Sequence, residues 1–306
     1  MAYAAQLEAQ QVRVAKQISR EILNGAPLDV RWNLTLAANA ISANVPYGEM
    51  EAISKIDGVQ AVHLVPVYEM DQEMDPNTIS SGNMVGSYTA WLDGYTGAGS
   101  RIAVIDTGID ADHPSFRSDA FEYGLLVAAT KNGKTVEEYD LLDVEEIAEV
   151  LPLLNASKAY DGLTAGRLHH SSKIAYGFNY IDENLDIPHA HDTQGDTGTH
   201  VSGNATANRY VAKNGASGVT YAYADNGVVG TAPDAQLLTM KVFGSGGCAY
   251  ADDYIAAIED AILLNCDAIN LSLGSAAVGV TSAGNEDMDG VLDGLSKTDT
   301  VVFMSW

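Results

Sequence analysis

The chain has 306 residues, of which 46% are hydrophobic and 19% charged, a composition typical of a globular rather than a disordered protein. Its 41 acidic residues outnumber its 16 basic ones, and the formal net charge of -25 argues against a nucleic-acid partner because like charges repel. No apolar run reaches the roughly 18 residues of a membrane span, so no bilayer-spanning segment is expected in this chain.

The first segment, MAYAAQLEAQQVRVAKQISREILNG, is charged throughout and lacks the apolar centre of a secretion signal. If the protein is exported, its signal therefore lies upstream of Met1 or has been removed. The chain has two cysteines, Cys248 and Cys266, which are too few for a disulfide framework or a cysteine-based zinc site. The sequence favours two buried free thiols.

Residues 1–76 have the pattern of a small α+β domain. Apolar residues follow a helical spacing in LEAQQVRVAKQISREIL, and residues 32–45 have the character of a strand. Pro46 is well placed to open a helix that Gly58 would close, and the alternating segment QAVHLVPVYEM predicts another strand. Polar, turn-forming residues come next, so residues 77–100 are expected to hold a linker and the start of the following domain.

Residues 101–306 alternate between apolar strands and helices. RIAVIDTG, AQLLTMKVF, DAINLSLG and DTVVFMSW have the pattern of buried strands, and DDYIAAIEDAILLN is an amphipathic helix with Asp252 and Asp253 at its positive N-terminal end. Three isoleucines share one face of that helix: Ile255, Ile258 and Ile262. This alternation predicts an α/β fold with a doubly wound parallel sheet. Residues 117–172, which include an acidic helical segment, are expected to be an insertion at the rim of the sheet.

In open α/β sheets, active sites form at the carboxyl ends of the strands. Asp106 stands at such an end, in VIDTGID, and is therefore a candidate catalytic residue. A lone aspartate after an apolar strand is equally consistent with a metal ligand or with a cap on the following turn.

Four motifs in order, RIAVIDTGIDADHPSF, GTHVSG, APDAQLLTMKVF and INLSLGS, resemble the subtilisin-like serine proteases (subtilases, peptidase family S8) from about residue 84 onward. The segment NMVGSYTAWLDGYTGAGSRIAVIDTGID is most similar to the large cell-envelope proteases of Gram-positive bacteria. The resemblance implies a secreted serine endopeptidase, extracellular or attached to the cell wall, that cleaves extended polypeptides. Residues 33–70 resemble the end of the propeptide of these zymogens, which acts as an intramolecular chaperone and inhibitor.

The resemblance implies a triad in the order Asp, His, Ser, and Asp106 matches its first member, which orients the imidazole and stabilises the imidazolium. In the family motif His-Gly-Thr-His-Val-Ala/Ser-Gly, the first histidine is the general base. Here the same positions read TGTHVSG, so Thr197 occupies the catalytic position. A threonine suits a helix start but is too weak a base to accept the proton of a serine. Three residues are expected to be structural near the site: Gly198, Thr199 and His200.

Other histidines are alternative bases. His200 matches the second, non-catalytic histidine of the motif, and three residues on a helix amount to about 300° of rotation and roughly 4.5 Å of rise. It could not replace the base unless the helix moved. His189 and His191 lie in the polar loop DIPHAHDTQG, and with Asp192 and Asp196 they are also an alternative metal cluster, although their spacing carries no particular ligand geometry.

The nucleophile motif of the family, Gly-Thr-Ser-Met-Ala, is absent from the sequence. Asn285 resembles the oxyanion asparagine but precedes a helix and a strand that should come before it, so it is interpreted as a loop or helix-start residue. The oxyanion residue is expected just after Trp306. The chain is therefore expected to be a truncated, partial catalytic domain, inactive as given. Three residues match the segment that pairs with substrate, although a plain core strand is the alternative: Ser272, Leu273 and Gly274.

Calcium is common in the family, but Ser115 stands where an acidic ligand often follows His-Pro, so calcium stays possible without identified ligands and no other cofactor is expected. Asn204 replaces a usual apolar residue and needs a hydrogen-bond partner if it is buried. A catalytically dead peptide-binding module is the second functional hypothesis. A nucleotide-binding protein ranks lower, because the turn after Asp106 has neither a G-x-G-x-x-G nor a P-loop pattern.

Overall fold

The computed structural model describes residues 2–69, 84–188, 195–215, 218–224, 228–245, 247–272 and 298–305. The strands are β1 (Asp29–Leu34), β2 (Ala40–Asn44), β3 (Val67–Glu69), β4 (Arg101–Asp106), β5 (Ile174–Asn179), β6 (Tyr210–Gly215), β7 (Gly218–Tyr223), β8 (Gln236–Lys241), β9 (Cys248–Tyr250), β10 (Ala268–Ser272) and β11 (Val301–Ser305). The helices are α1 (Ala2–Glu21), α2 (Met50–Ile53), α3 (Ser87–Leu92), α4 (Ser118–Asn132), α5 (Val144–Val150), α6 (Asn155–Ala159), α7 (Ala165–Leu168), α8 (Thr197–Thr206) and α9 (Ala251–Leu263).

A five-stranded parallel sheet forms the centre, with the strand order β11-β10-β4-β8-β5. Successive residues of β4 face opposite sides: Ala103 and Ile105 join a large buried cluster with Ile258 of α9, whereas Val104 belongs to a second cluster against which Val201 of α8 packs. Helices thus cover both faces, and the prediction of an α/β fold with a parallel sheet is confirmed.

The acidic segment between β4 and β5 is part of the main core. Leu142, Ile147, Leu154 and Leu168 from this segment belong to the same buried cluster as strand residues of the central sheet. The expectation that the segment sits at the rim is therefore wrong for its second half. Its apolar residues recur at helical spacing among many acids, and the sequence pattern could not show which surface they cover.

The N-terminal unit, residues 2–69, is an α+β arrangement in which α1 packs on a hairpin and on α2. Leu7 and Ile18 of α1 are buried, as the helical spacing predicts. Residues 32–45 were expected to form one strand, but they contain two antiparallel strands, β1 and β2, in which Trp32 pairs with Ser42. The apolar pattern runs through the turn between them and so hides it.

Two further expectations for the N-terminal unit hold only in part. The helix predicted from Pro46 to Gly58 is reduced to a 3-10 turn at Tyr47–Glu49 and the single turn of α2. The long strand predicted in QAVHLVPVYEM is only β3, whose antiparallel partner β9 is itself three residues long. A strand persists only where a partner backbone satisfies its hydrogen bonds, which limits β3 to this length.

Helix α9 is buried around its whole circumference from Ala251 to Ala261, including four acidic side chains. An amphipathic helix with a solvated face was the expectation from sequence. The N-terminal unit covers Asp252, Asp253 and Glu259. The fourth acid, Asp260, accepts hydrogen bonds from Asn155, Ala156 and Tyr180. Of the two cysteines, both free, Cys266 is buried as expected but Cys248 only partly. No helix in the described part of the chain is long and apolar enough to cross a membrane.

Candidate active site

Asp106 ends the central strand of the sheet at its carboxyl edge. It pairs with Lys241, the last residue of β8, across one side. On the other side Leu271 of β10 is level with Ile105, so Ser272 ends its strand beside Asp106. Two of the predicted site residues, one on each of two neighbouring strands, therefore meet at the edge where parallel α/β sheets place their active sites.

Only one of the two oxygens of the Asp106 carboxylate has a hydrogen-bond donor among the described residues. Its Oδ1 accepts a hydrogen bond of 2.7 Å from the backbone N–H of Thr107, while its Oδ2 is buried and has no hydrogen-bond partner among the described residues. Asp106 is only 1% exposed. Burial raises its pKa to about 7, although the hydrogen bonds from the Thr107 backbone and side chain act in the opposite direction. A buried carboxylate oxygen without a donor is costly and marks a position where a donor is missing.

The first turn of α8 is hydrogen-bonded to the loop that follows Asp106. The N–H of Gly198 donates to Thr107 Oγ1 at 2.9 Å, and the N–H of Asp110 donates to Thr199 Oγ1 at 2.9 Å. These two bonds join the loop after β4 to the start of the helix in both directions. These bonds bring Thr197, the residue before Gly198, next to the loop that follows Asp106, whichever side chain it carries.

The close approach of α8 to this loop depends on Gly198. A Cβ atom there would lie 2.1 Å from the carbonyl oxygen of Gly108, and backbone cannot move aside cheaply. We expect Gly198→Ala to cost about 1–3 kcal/mol or more of unfolding free energy. Gly203→Ala in the same helix, whose Cβ would have Val228 Cγ1 at 4.0 Å as nearest neighbour, should be neutral or stabilising by up to about 1 kcal/mol. Urea unfolding of both variants measures the difference, and equal effects would contradict this packing.

Thr197 is the first residue of α8, following Asp196. Neither Thr197 nor His200 donates to the free Asp106 oxygen, since that atom has no partner among the described residues. The His200 ring instead lies with Nε2 3.1 Å from Nδ2 of Asn204, one helical turn later. This contact supplies the partner that Asn204 was expected to need, and it removes His200 as a replacement base in the described conformation.

Ser272 is partly buried at the end of β10, where its Oγ accepts a hydrogen bond of 2.9 Å from Asn270 Nδ2. Its expected role in pairing with substrate stays a prediction. Several other candidates lie outside the described residues: Leu273, Gly274, His189, His191, Asp192 and Asn285.

The sequence interpretation missed a strand at the site. Cys248–Tyr250 forms β9, which follows β8 at the carboxyl edge of the sheet and pairs antiparallel with β3 in the register Val67–Tyr250 and Glu69–Cys248. Just past this pair, the N–H of Ala251 donates to the carbonyl of Pro66 at 3.1 Å. A three-residue strand is too short for a periodicity signal, and the glycine-rich GSGG before it was the only cue.

In the described part of the chain, no group of three or more His, Cys, Asp or Glu side chains is placed to bind a metal ion such as calcium. Ser115, at the position discussed for calcium, uses its carbonyl to accept a hydrogen bond of 2.8 Å from the N–H of Asn208.

Comparisons with known proteins agree with this geometry. The sequence model of the Subtilase family (Peptidase_S8) matches residues 97–305. Similar curated proteins are the PII-type proteinase of Lacticaseibacillus paracasei, 30% identical over 82% of this chain and 11% of that protein, and the minor extracellular protease Vpr of Bacillus subtilis (strain 168), 25% identical over 78% of this chain and 23% of that protein. The C5a peptidase of Streptococcus pyogenes serotype M6 is 34% identical over 62% of this chain and 13% of its own length.

Among solved structures, the epidermin leader peptide processing serine protease (EpiP) of Staphylococcus aureus superposes with a TM-score of 0.53 at 17% identity. The match covers 97% of this chain and 57% of that one, and it supports the fold. The chain spans only about a tenth of the length of the PII-type proteinase, so what the whole relative does is a separate question.

Proposed function

This chain belongs to the subtilase family of serine peptidases, and from that premise we propose that it is part of a secreted subtilisin-like endopeptidase precursor that lacks its catalytic base. The proposal rests on Asp106 Oδ2, which is buried with no hydrogen-bond partner among the described residues, and on residue 197 at the start of α8, which is a threonine. An imidazole at that position would supply the missing donor. A threonine hydroxyl does not reach the carboxylate.

The chemistry implied for the family is acyl transfer from a peptide bond to a serine hydroxyl. The general base takes the serine proton as the hydroxyl oxygen attacks the carbonyl carbon, and then gives that proton to the leaving amine. Asp106 would hold the base in the correct tautomer and stabilise its positive charge. With Thr197 in place of the base, the proton has no acceptor, so the attack does not proceed at a useful rate. The nucleophile motif that the family uses for the serine is not among the 306 residues, so the proposal assigns neither the serine nor the oxyanion asparagine to this chain.

The N-terminal unit is proposed to be a propeptide-like domain, with residues 77–100 as linker and start of the mature region and residues 101–306 as the partial catalytic domain. The pairing of β3 with β9 supports this division, because an extended segment added to a strand at the active-site edge is how peptides bind such grooves. The chain's own N-terminal unit would then be a partner of the catalytic part. An extracellular or cell-wall location fits the relatives, one of which is named an extracellular protease.

The proposal predicts that the chain neither hydrolyses peptides nor reacts with serine-directed probes. A chromogenic peptide assay and a fluorophosphonate probe measure the two, with an active subtilisin as positive control. The chain should also stay covalently continuous through the linker, which intact-mass spectrometry reads directly. Clear probe labelling of this chain, or a purified product that begins near Ser80 without added protease, would contradict the proposal that the chain lacks a working general base.

A second candidate function is a catalytically dead peptide-binding module. The pairing of β3 with β9 favours it, since β9 is an edge that already holds an extended segment. Calorimetric titration with unstructured peptides tests it, using the native chain and Val67→Pro, which removes a backbone N–H from β3 and frees the edge. If neither protein binds at millimolar peptide concentration, the module hypothesis fails.

A further inference from the structure

We propose that the polar face of α9 is a proton-linked docking surface for residues 2–69, so that these residues bind the rest of the protein more tightly as the pH falls. The inference rests on the proposed division into a propeptide-like unit and a catalytic part. It does not depend on the missing base, because none of the groups involved belongs to the candidate triad.

Glu259 anchors one end of this surface. Its Oε1 accepts hydrogen bonds from the backbone N–H groups of Leu36 and Ala37 at 2.6 and 2.9 Å, in the turn between β1 and β2, with Ala38 N–H at 3.5 Å. Its Oε2 accepts a bond of 3.2 Å from Asn155 Nδ2 of α6. One carboxylate thus joins the hairpin, α9 and the segment between β4 and β5.

The other end of the surface is the first turn of α9. Asp253 Oδ1 accepts the indole N–H of Trp32 at 2.8 Å and lies 3.2 Å from Arg31, both on β1. Asp252 Oδ2 accepts a hydrogen bond from the hydroxyl of Ser42 on β2. Both strands of the hairpin are therefore held by two adjacent carboxyl groups of the same helical turn.

These contacts leave too few positive charges for the carboxyl groups present. Three acidic side chains meet here, and the one cation that the described residues bring to them is Arg31, which is shared between Asp253 and Glu183 at 3.2 Å each. Asp252 Oδ1, Asp253 Oδ2 and Arg31 Nε are buried without partners among the described residues. A proton on Asp253 removes part of the surplus negative charge.

The groups that face Asp253 come from every element packed around it. They are Arg31 and the uncharged Trp32 of β1, Glu183 from the loop after β5, Tyr250 of β9 and Asp252 of α9. Asp252 in turn accepts the hydrogen bond of the uncharged Ser42 hydroxyl. Burial and then the Asp252 charge raise the pKa of Asp253 to about 7, against the Trp32 hydrogen bond and Arg31. An uncovered aspartate titrates near 4. Docking therefore takes up a proton between these two values, and its affinity falls about tenfold per pH unit as the pH rises towards 7, then levels off.

The test separates the two parts without truncating the protein. A specific protease site is inserted between Glu69 and Met84 of the full chain, the purified protein is nicked, and the dissociation constant of the released N-terminal fragment is measured at pH 5.5 and pH 8. The expected result is a fragment that stays bound at pH 5.5 and dissociates about 30-fold more readily at pH 8. An affinity at pH 8 that equals or exceeds the affinity at pH 5.5 would contradict the proposal.

Asp253→Asn keeps an oxygen that can accept the Trp32 bond but cannot titrate, and it should abolish most of the pH dependence. Glu8→Gln is the matched control, because Glu8 forms an exposed ion pair of 3.4 Å with Lys158 across the same interface. It should leave the ratio between the two pH values intact. A second measurement uses the intact chain. Amide hydrogen exchange at Leu36 and Ala37, corrected for the intrinsic exchange rate, should show the same pH dependence for the opening of the contact between the N-terminal unit and α9. If Asp253→Asn leaves the ratio of the dissociation constants at pH 8 and pH 5.5 unchanged, Asp253 is not the group that takes up the proton.

Discussion

Replacing Thr197 with histidine is expected to raise peptide hydrolysis by at least about 10⁴-fold when the substitution is made in a polypeptide that also carries the family's nucleophile segment. The reason lies in the scaffold, in which the Gly198–Thr107 bond of 2.9 Å already joins the first turn of α8 to the residue after the candidate aspartate. The imidazole would fill the missing-donor position at Asp106 Oδ2 and provide the proton acceptor that serine attack requires.

The measurement is kcat/KM on a chromogenic peptide, together with fluorophosphonate labelling. Thr197→Ala is the control that changes the side chain without adding a base, and it should stay inactive. The double variant Thr197→His with Asp106→Asn should lose most of the gain, because the imidazole would adopt the wrong tautomer. A gain that is independent of Asp106 would mean that the two residues do not act together.

The same substitution has a readout that needs no nucleophile. In the present chain the pKa of Asp106 is raised to about 7 by burial. An imidazolium beside it favours the ionised carboxylate, so Thr197→His should lower that pKa to its ordinary range or below. Carboxyl-carbon NMR titration of the two proteins would show this directly. An Asp106 pKa that stays raised would contradict the placement of residue 197.

Replacing Trp32 with alanine is expected to be among the most damaging substitutions in the N-terminal unit, at about 3–5 kcal/mol of unfolding free energy. Trp32 is 2% exposed and belongs to the same buried cluster as the central sheet and α9. Its ring lies 6.1 Å from that of Tyr180, and its indole N–H donates a hydrogen bond to Asp253 Oδ1. Its loss leaves both a cavity and a buried carboxylate without its donor.

Urea unfolding followed by far-ultraviolet circular dichroism measures this effect. Tyr47→Ala is the matched aromatic control in the same unit, because Tyr47 is 74% exposed and should change stability by no more than about 0.5 kcal/mol. An early transition in Trp32→Ala would indicate that the N-terminal unit detaches before the sheet unfolds. A loss below about 1 kcal/mol would show that the hairpin does not pack against α9 as described.

Much of the fold could be predicted from the sequence because its signals are local. The strands that hold Asp106 and Ser272 are nearly continuous apolar runs, and runs of this kind between helices specify a buried parallel sheet. The assignment of Thr197 came from a seven-residue motif of the family that the sequence resembles, and Thr197 is the first residue of α8. That a threonine at position 197 abolishes peptide hydrolysis stays a prediction.

Periodicity in the sequence indicates which residues form the sheet and which strand ends carry polar side chains, whereas the motif position of the base follows from the resemblance to the subtilases. The burial of Asp253 and Glu259, the pairing of β3 with β9 and the packing of the segment after α4 into the core are visible only in the folded chain. Those outcomes join residues far apart in the chain, as in the Trp32–Asp253 bond across 221 positions. An acidic side chain at a helix start has the same local pattern whether water or another domain covers it, so burial there depends on contacts that no single segment contains.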